Sequence, residues 1–307
     1  MKALCLSLLA FIVSASFIAC QKDKVTATDY ISETTEQADD QSRFSEETDA
    51  IANDANSVIE TSFGFTGRSE NIQSLICDAT ISIDTTSNPR TITIVYNGTN
   101  CLGNRTRTGK VVISMAAVTR WRQAGATLNV QFQNLKITRL SDNKNITING
   151  TQIYTNVSGG LLSNLATLGS LTHTITSSNM SITFDDGSQR DWQLARRRVF
   201  SYNNGIVIST TGTHTDGATT GITEWGTNRF GHSFTTAVTQ PLVIRQDCNF
   251  RMVSGKVAHH TSLFNATVTF GLDANGNPTG CPGAGDYYLK LEWTGPSGMR
   301  RTVILPY

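Results

Sequence analysis

Apolar and polar residues alternate along most of the chain after Phe63. In residues 91–96, isoleucine and tyrosine occupy every second position, and in residues 128–133, Leu, Val and Phe alternate with Asn and Gln. Successive side chains of a strand point to opposite faces, so this period of two predicts strands with one buried and one wet face. Similar runs cover residues 110–115, 146–148, 152–157, 180–184, 206–211, 234–238, 266–270, 287–293 and 300–305.

Short turn signals separate these runs. They are Asn97-Gly98, Asp142-Asn143, Asn149-Gly150, Asp186-Gly187, Asn203-Asn204-Gly205 and Asn275-Gly276-Asn277. Strands at short spacing without intervening helical patterns predict antiparallel hairpins. We therefore expect an all-β body, built as a large antiparallel β-sandwich or as a curled multi-hairpin sheet. Residues 158–171 break the alternation, and they predict a short helix or an apolar loop that caps the core.

The pattern before Phe63 is helical and acidic. Apolar residues at helical spacing and a Ser45-Glu46-Glu47 start predict a helix in the second half of residues 20–62. Residues 21–62 hold 11 acidic and 3 basic residues, whereas residues 63–307 hold 13 acidic and 21 basic ones. The composition favours a solvated acidic tether with one short, loosely held helix. The opposite charges also permit this helix to lie on the basic body.

The first residues carry the pattern of a signal peptide. A positive Met1-Lys2 start and an apolar stretch from Ala3 to Ala19 precede Cys20. This arrangement resembles the lipobox of bacterial lipoproteins, which implies cleavage after residue 19 and a diacylglyceryl group, with palmitate-type chains, on Cys20. The alternative is an ordinary signal peptide that is cut nearby. Several acyl chains would anchor the protein stably to a membrane.

Gln21-Lys22-Asp23 resembles the surface-export signal of Bacteroidota lipoproteins. The resemblance implies a lipid anchor in the outer membrane and a body that faces the medium. The periplasmic face is the alternative location.

The remaining cysteines predict disulfide bonds. Cys5 belongs to the signal peptide, and four cysteines remain in the body: Cys77, Cys101, Cys248 and Cys281. In an oxidising compartment, these four cysteines predict two disulfides, which can be connected in three ways. We favour the pairing of the first two with each other and of the last two with each other, because each bond then closes a local loop. A zinc site is the competing interpretation, but the close ligand spacing of such a site is absent from the sequence.

Each cysteine pair encloses a similar succession of strand, turn and strand. This pattern indicates two related halves, residues 63–190 and 191–307, and the alternative is one undivided body. A family resemblance rests on blocks in this order: Pro89 to Ile94, Cys101, Gly109 to Ile113, Asn149 to Thr151, Gly226 to Gly231, Pro241-Leu242 and Cys248. Together the blocks resemble uncharacterised Bacteroidota lipoproteins. The resemblance implies a β-rich, surface-associated protein and supplies no activity or catalytic residue.

The candidate catalytic and metal-binding residues of the sequence lie in predicted turns or are isolated side chains. His259 and His260 adjoin on a predicted strand and therefore point to opposite faces. Asp185-Asp186 precedes a glycine and predicts a hairpin turn, with a glycosidase-type acid pair as the weaker alternative. The Asp273-to-Asn277 segment resembles the start of a calcium loop but lacks its final glutamate. The prediction is a protein without enzymatic activity, cofactor or metal.

Three residues are candidates for ligand binding. Trp121 lies between two arginines and is predicted to be an exposed aromatic residue, which would suit stacking on a sugar. Arg196 and Arg198 belong to a basic run that would suit phosphate or acidic polysaccharide; arginines on the wet face of a polar sheet are the alternative interpretation.

The sequence thus favours a cell-envelope lipoprotein with a non-catalytic binding role for polysaccharide or another surface polymer. The alternatives are a structural or assembly component of the envelope, with protein partners, and a less favoured extracellular polymer-degrading enzyme. Nucleic acid is not an expected partner, since the basic run lacks a recognisable reader motif.

Overall fold

A computed structural model describes residues 27–62, 76–281, 286–294 and 298–307. It confirms the predicted all-β body: 15 strands form one sheet, and every strand pair within it is antiparallel. Cys20 and the predicted signal peptide lie outside the described residues.

The elements follow one another in simple order. The helix is α1 (Ala27–Thr61), and the strands are β1 (Ala79–Asp84), β2 (Arg90–Thr99), β3 (Arg105–Met115), β4 (Ala126–Arg139), β5 (Asn145–Asn156), β6 (Ser170–Phe184), β7 (Gln189–Tyr202), β8 (Ile206–Gly212), β9 (His214–Asp216), β10 (Thr219–Thr227), β11 (Ser233–Arg245), β12 (Arg251–Thr261), β13 (Asn265–Leu272), β14 (Tyr288–Thr294) and β15 (Arg300–Pro306).

Nearly every strand pairs with its neighbours in sequence, as a meander of hairpins requires. The exception lies between β7 and β11, where β8 and β10 each pair with both strands, and β9 extends the sheet beside β10. The strands from β1 to β15 form one continuous sheet. Of the two predicted architectures, the structure is therefore the curled multi-hairpin sheet and not the β-sandwich.

Glycine and asparagine bulges bend the strands. In β3, Gly109 has φ +99° and faces Asn134 of β4, which has φ +49°. Gly150 of β5, with φ +122°, faces Asn179 of β6 in the same way. The strand register shifts at both places. Such bulges add local twist and bend to a strand, so they curl a sheet that would otherwise stay open.

The curled sheet encloses α1. The prediction of a short, loosely held helix in a solvated tether is therefore wrong. The helix has 35 residues. Phe44, Ile51 and Val58 are at most 1% exposed and belong to the same core cluster as the inward side chains of β2 to β7. Polar side chains on other faces of α1 are also buried, including Arg43 and Asp49. The apolar stripe in the sequence predicted that one face of α1 packs against other residues. In the structure, the sheet also covers charged faces of the helix.

The preferred disulfide pairing is confirmed. Cys77 bonds to Cys101 and Cys248 bonds to Cys281, with Cα–Cα distances of 5.3 and 5.2 Å. The first bond joins the outer ends of the β1–β2 hairpin, and the second joins those of the β12–β13 hairpin. The proposed boundary between residues 190 and 191, however, falls inside β7, so it does not separate two structural units.

Residues 158–171 form the predicted cap. A 3-10 turn at Leu162–Asn164 leads into a one-turn helix at Leu165–Leu168, and Leu161, Leu165 and Leu171 are buried. In the part of the chain that the structure describes, no helix has both the length and the apolarity needed to cross a membrane.

Replacing Gly109 by alanine is predicted to destabilise the protein more than replacing Gly187. Both glycines have positive φ, at +99° and +81°. A Cβ at Gly109 would overlap the backbone of Asn134, whereas a Cβ at Gly187 meets no atom within 4 Å. We expect Gly187→Ala to cost about 1–2 kcal/mol, from backbone strain alone, and Gly109→Ala to cost clearly more. Urea unfolding of the two variants measures the difference; equal costs would contradict the packing argument.

Candidate functional site

Inward arginines of the sheet meet the acidic helix. Arg105 of β3 forms ion pairs with Glu46 and Glu47 of α1. Glu47 is almost completely buried, and burial raises its pKa while Arg105 opposes that shift. A buried carboxylate is costly unless it is paired, so these arginines are what makes an acidic helix acceptable inside the sheet.

Arg107 ties α1 to the first disulfide hairpin. Its Nη1 lies 2.7 Å from Asp54 Oδ2, and its Nε and Nη2 donate to the two oxygens of Asp78 at 2.7 and 2.6 Å. Tyr96 donates to Asp54 at 3.0 Å and packs its ring under the guanidinium, 4.4 Å away. The planar fork of Arg suits this two-oxygen contact better than a lysine would.

About four turns nearer the start of α1, Arg229 holds Asp40. Nε and Nη2 of Arg229 donate to the two carboxylate oxygens at 2.7 and 2.6 Å. Burial raises the pKa of Asp40 to about 6, although the hydrogen bonds from Arg229 oppose the shift. Arg229 Nη1 also lies 3.1 Å from Asp185 Oδ1. Asp185, one of the two adjacent aspartates predicted to form a hairpin turn, therefore forms an ion pair with the same arginine.

Arg196 lies in the core and is not a surface ligand residue, so that prediction is wrong. It is 3% exposed and forms ion pairs with Asp49 of α1, at 3.0 Å, and with Glu224 of β10. Glu224 also accepts hydrogen bonds from Ser45 and, at 3.0 Å, from Trp192 Nε1. The cluster therefore joins α1 to β7 and β10.

The prediction for Arg198 is wrong for the same reason. Arg198 is fully buried, donates to Asn53 Oδ1 of α1 at 3.1 Å, and lies over the ring of Phe200. Among the three consecutive arginines, only Arg197 is exposed. The sequence carried a signal for this arrangement: Arg196 and Arg198 share the parity of Trp192, Leu194 and Phe200, which places all five on one face of the strand.

Trp121 is buried too, so the prediction of an exposed, sugar-stacking residue is wrong. Its ring packs edge-on against His173, with 5.0 Å between centroids, and His173 packs against Phe200 at 4.9 Å. Burial, with a smaller contribution from the charge of Arg198, lowers the pKa of His173 to about 3. Trp121 lies in the loop between β3 and β4, where no period indicates which way a side chain points.

The remaining predictions from the sequence concern the two adjacent histidines and two turns that contain aspartate. His259 is buried beside Thr236, at 2.8 Å, whereas His260 is exposed on the other face, as predicted. Asp186 lies in the β6–β7 turn and accepts a hydrogen bond from the Ser188 amide. Asp273 accepts from the amides of the turn that follows β13, as the turn interpretation predicted.

A large groove lies beside the N-terminal half of α1. It is a groove of about 870 Å³ between α1, the β3 and β4 ends on one side, and the β14 and β15 ends on the other. Five acidic and five basic side chains line it: Glu36, Asp39, Glu46, Asp142 and Asp286, and Arg43, Arg105, Arg139, Lys144 and Arg251. Leu140, Leu289, Leu305, Pro306 and Tyr307 add an apolar surface.

Most charges of the groove are paired within its wall. Arg139 Nη1 lies 2.7 Å from Asp39, and Lys144 Nζ lies 2.7 Å from Glu36. The groove therefore presents hydrogen-bond donors and acceptors side by side with little net charge. Such a surface suits an uncharged ligand rich in hydroxyl groups, since each hydroxyl both donates and accepts.

No sequence signal could have identified this groove. Its lining comes from α1, the β2–β3 and β4–β5 turns, the start of β12 and the last strands β14 and β15 with their flanking residues, and none of these segments carries a ligand motif. Comparisons with known protein families, curated proteins and solved structures give no match for the chain.

Arg196→Met is predicted to cost about 3–5 kcal/mol of unfolding free energy, because it leaves Asp49 and Glu224 as unpaired buried charges. The matched control is Arg197→Met, the next residue on the opposite face, which we expect to change stability by no more than about 0.5 kcal/mol. Chemical denaturation of both variants tests the prediction. Equal effects would show that Arg196 does not hold the cluster together.

His173→Phe is predicted to flatten the acid side of the stability profile. The pKa of His173 is lowered from 6.5 to about 3, so the unfolded chain takes up this proton first. Its contribution to stability is full above about pH 6.5 and is lost as the pH falls towards 3. Phenylalanine keeps the ring contacts without the titration. Urea unfolding at pH 7, 5.5 and 4.5 measures the slope, with the exposed His260→Phe as control; an unchanged slope would contradict the prediction.

Proposed function

We propose that this chain is a non-catalytic cell-envelope lipoprotein that binds an uncharged polysaccharide in the groove beside α1. The single observation that carries the proposal is the groove itself, which combines paired charged side chains with an apolar surface. Sites that fix small or extended ligands combine an apolar surface with a few placed polar groups in this way.

The ion-paired arginines support an uncharged ligand over an acidic one. The positive charge of the body appeared from the sequence to favour acidic polymers. Four of these arginines instead form ion pairs with carboxylates of the same chain: Arg105, Arg139, Arg196 and Arg229. An acidic ligand would have to compete with these ion pairs.

The lipid anchor is part of the same proposal. Cys20 and Ala27, where α1 begins, are seven positions apart, which an extended chain spans in about 25 Å. With a lipid on Cys20, the groove would lie near the surface of the outer membrane. The resemblance of residues 21–23 to an export signal supports the side that faces the medium.

A second candidate function is assembly with another envelope protein. Strands β1 and β15 each have one strand neighbour in the described sheet, so each presents an open edge. An open edge can accept a further strand from a partner. This observation favours the structural alternative without involving the groove.

Blocking the groove tests the binding proposal. Ser141 is exposed on the β4–β5 turn and lines the groove, so Ser141→Trp should fill it without disturbing the core. We expect neutral oligosaccharides to bind the wild-type protein and to bind the variant at least tenfold more weakly, as measured by isothermal titration calorimetry at low and moderate salt.

The matched control is Thr85→Trp, in the exposed β1–β2 turn, which does not line the groove. It should bind like the wild-type protein. Binding of neutral glycans that both variants retain would place the site elsewhere. Selective binding of acidic polymers, or capture of a protein partner without any glycan binding, would favour the other functions.

A further inference from the structure

A second groove lies on the face of the sheet that points away from α1. Its volume is about 550 Å³, and its lining comes from the strands β10 to β15, with no contribution from the described residues of α1. Small side chains occupy paired positions in its middle: Ala237, Ala258 and Thr267. They leave space across the strands between larger neighbours, which suits an extended ligand.

One row of paired residues runs along this outer groove. Each strand from β10 to β15 contributes one member, and cross-strand partners point to the same face of a sheet. Glu224 and Phe234, which precede the first two members in their strands, are buried, so alternation places the row on the outer face. At about 4.8 Å between strands, the row is roughly 24 Å long. Its members are Trp225, Thr235, His260, Asn265, Thr294 and Arg300.

An aromatic stack forms one end of the row. Trp225 is partly exposed, and its ring stacks on that of His214, with 4.0 Å between the centroids and 18° between the planes. His214 belongs to β9, which pairs with β10 and holds the stack against the sheet. A fixed tryptophan offers a ligand both an apolar ring and a ring N–H. Trp225 thus has the surface position that the sequence predicted for Trp121.

The middle of the row consists of uncharged polar side chains that both donate and accept hydrogen bonds. Thr235 and Thr294 carry hydroxyl groups and line the groove. His260 and Asn265 also line it, are exposed, and are hydrogen-bonded to each other. Side chains of this kind match the hydroxyl groups of a sugar, since each hydroxyl also donates and accepts.

The outer groove carries positive charge at its β15 end and along one side. Arg300 and Arg301 line that end and are exposed, and Lys256 of β12 lines the side. None of the three forms an ion pair with a residue that the structure describes. Glu292, the one acidic residue among the described lining residues, lies 3.4 Å from Lys290 Nζ, which offsets its charge. Unlike the arginines that pair with α1, these cations are therefore available to a ligand.

We propose that the outer groove binds an acidic oligosaccharide. One sugar ring stacks on Trp225, the hydroxyl groups of the saccharide meet the polar middle of the row, and its acidic groups bind Lys256 and Arg300. The planar fork of an arginine donates two parallel hydrogen bonds to a carboxylate. The outer groove shares no lining residue with the groove beside α1. The inference does not depend on the proposed function.

Three probes separate the sugar from the charge: trigalacturonate, its neutral methyl ester, and citrate, which carries similar charge without a sugar. The full-length protein is measured as wild type and as Ser141→Trp, in which neutral saccharide is kept out of the groove beside α1. We expect both proteins to bind trigalacturonate, and Ser141→Trp to bind it about tenfold more tightly than the ester at low salt, the gain that one charge-assisted hydrogen bond can give. Citrate should bind more weakly than trigalacturonate, because it lacks the stacking contact. Isothermal titration calorimetry measures the affinities.

Variants in the Ser141→Trp background separate the ring from the charge. Trp225→Leu keeps an apolar side chain and should weaken trigalacturonate and its ester alike, by about fivefold, without changing citrate binding. Lys256→Gln combined with Arg300→Gln should reduce the preference for trigalacturonate over the ester to below about threefold.

The matched control for the charge is Lys110→Gln combined with Lys136→Gln. It removes the same charge from exposed positions of β3 and β4, which do not line the outer groove. Its affinity for all three probes should equal that of the Ser141→Trp protein.

Several results would overturn the proposal. They are equal binding of trigalacturonate and its ester, citrate binding as tight as that of trigalacturonate, and the absence of saturable trigalacturonate binding. Loss of trigalacturonate binding in Ser141→Trp would place the acidic saccharide beside α1 instead. Equal weakening by the two lysine and arginine pairs would show a general attraction to positive charge. Circular dichroism and thermal unfolding establish that each variant is folded; if Trp225→Leu does not fold, the charge variants and their control decide.

Discussion

The pairing of buried carboxylates on α1 with inward arginines of the sheet is the interaction on which the rest of the structure depends. A helix with this many acidic residues could not be enclosed unless its charges were matched, because unpaired charges in an interior cost several kcal/mol each. Arg107, Arg196 and Arg229 reach the helix from three different parts of the sheet. The sheet can therefore close around α1 from all sides, and the helix supplies a core that a single curled sheet would lack.

The same pairing determines what is left for ligands. The arginines that hold α1 in place are paired with carboxylates of the same chain, so their charges are not available to a ligand at the surface. Several openings remain where the helix is incompletely covered. The N-terminal half of α1 borders a groove of balanced charge, and its C-terminal turns border a smaller cavity of about 320 Å³ with mostly apolar walls.

The errors in predicting the candidate residues have a common physical origin. Alternation along β7 shows that Arg196 and Arg198 share a face, but arginine was assigned to the wet side because charged residues are rarely buried without partners. Those partners, Asp49 and Asn53, lie about 145 residues earlier in the chain. Trp121 lies outside any periodic segment, and its burial follows from contacts with His173 on another strand.

The sequence by itself determined the all-β class, the alternation of buried and wet faces, most turns and the two local disulfides, because each depends on residues that are near one another in the chain. Only the tertiary structure decided that the sheet curls around α1, that its arginines point inward, and that the groove and the cavity exist. These features join residues from distant segments, such as Glu36 with Lys144 and Asn56 with Phe200. Local patterns restrict such contacts but do not select them, since the choice depends on which charges and surfaces meet when the whole sheet closes.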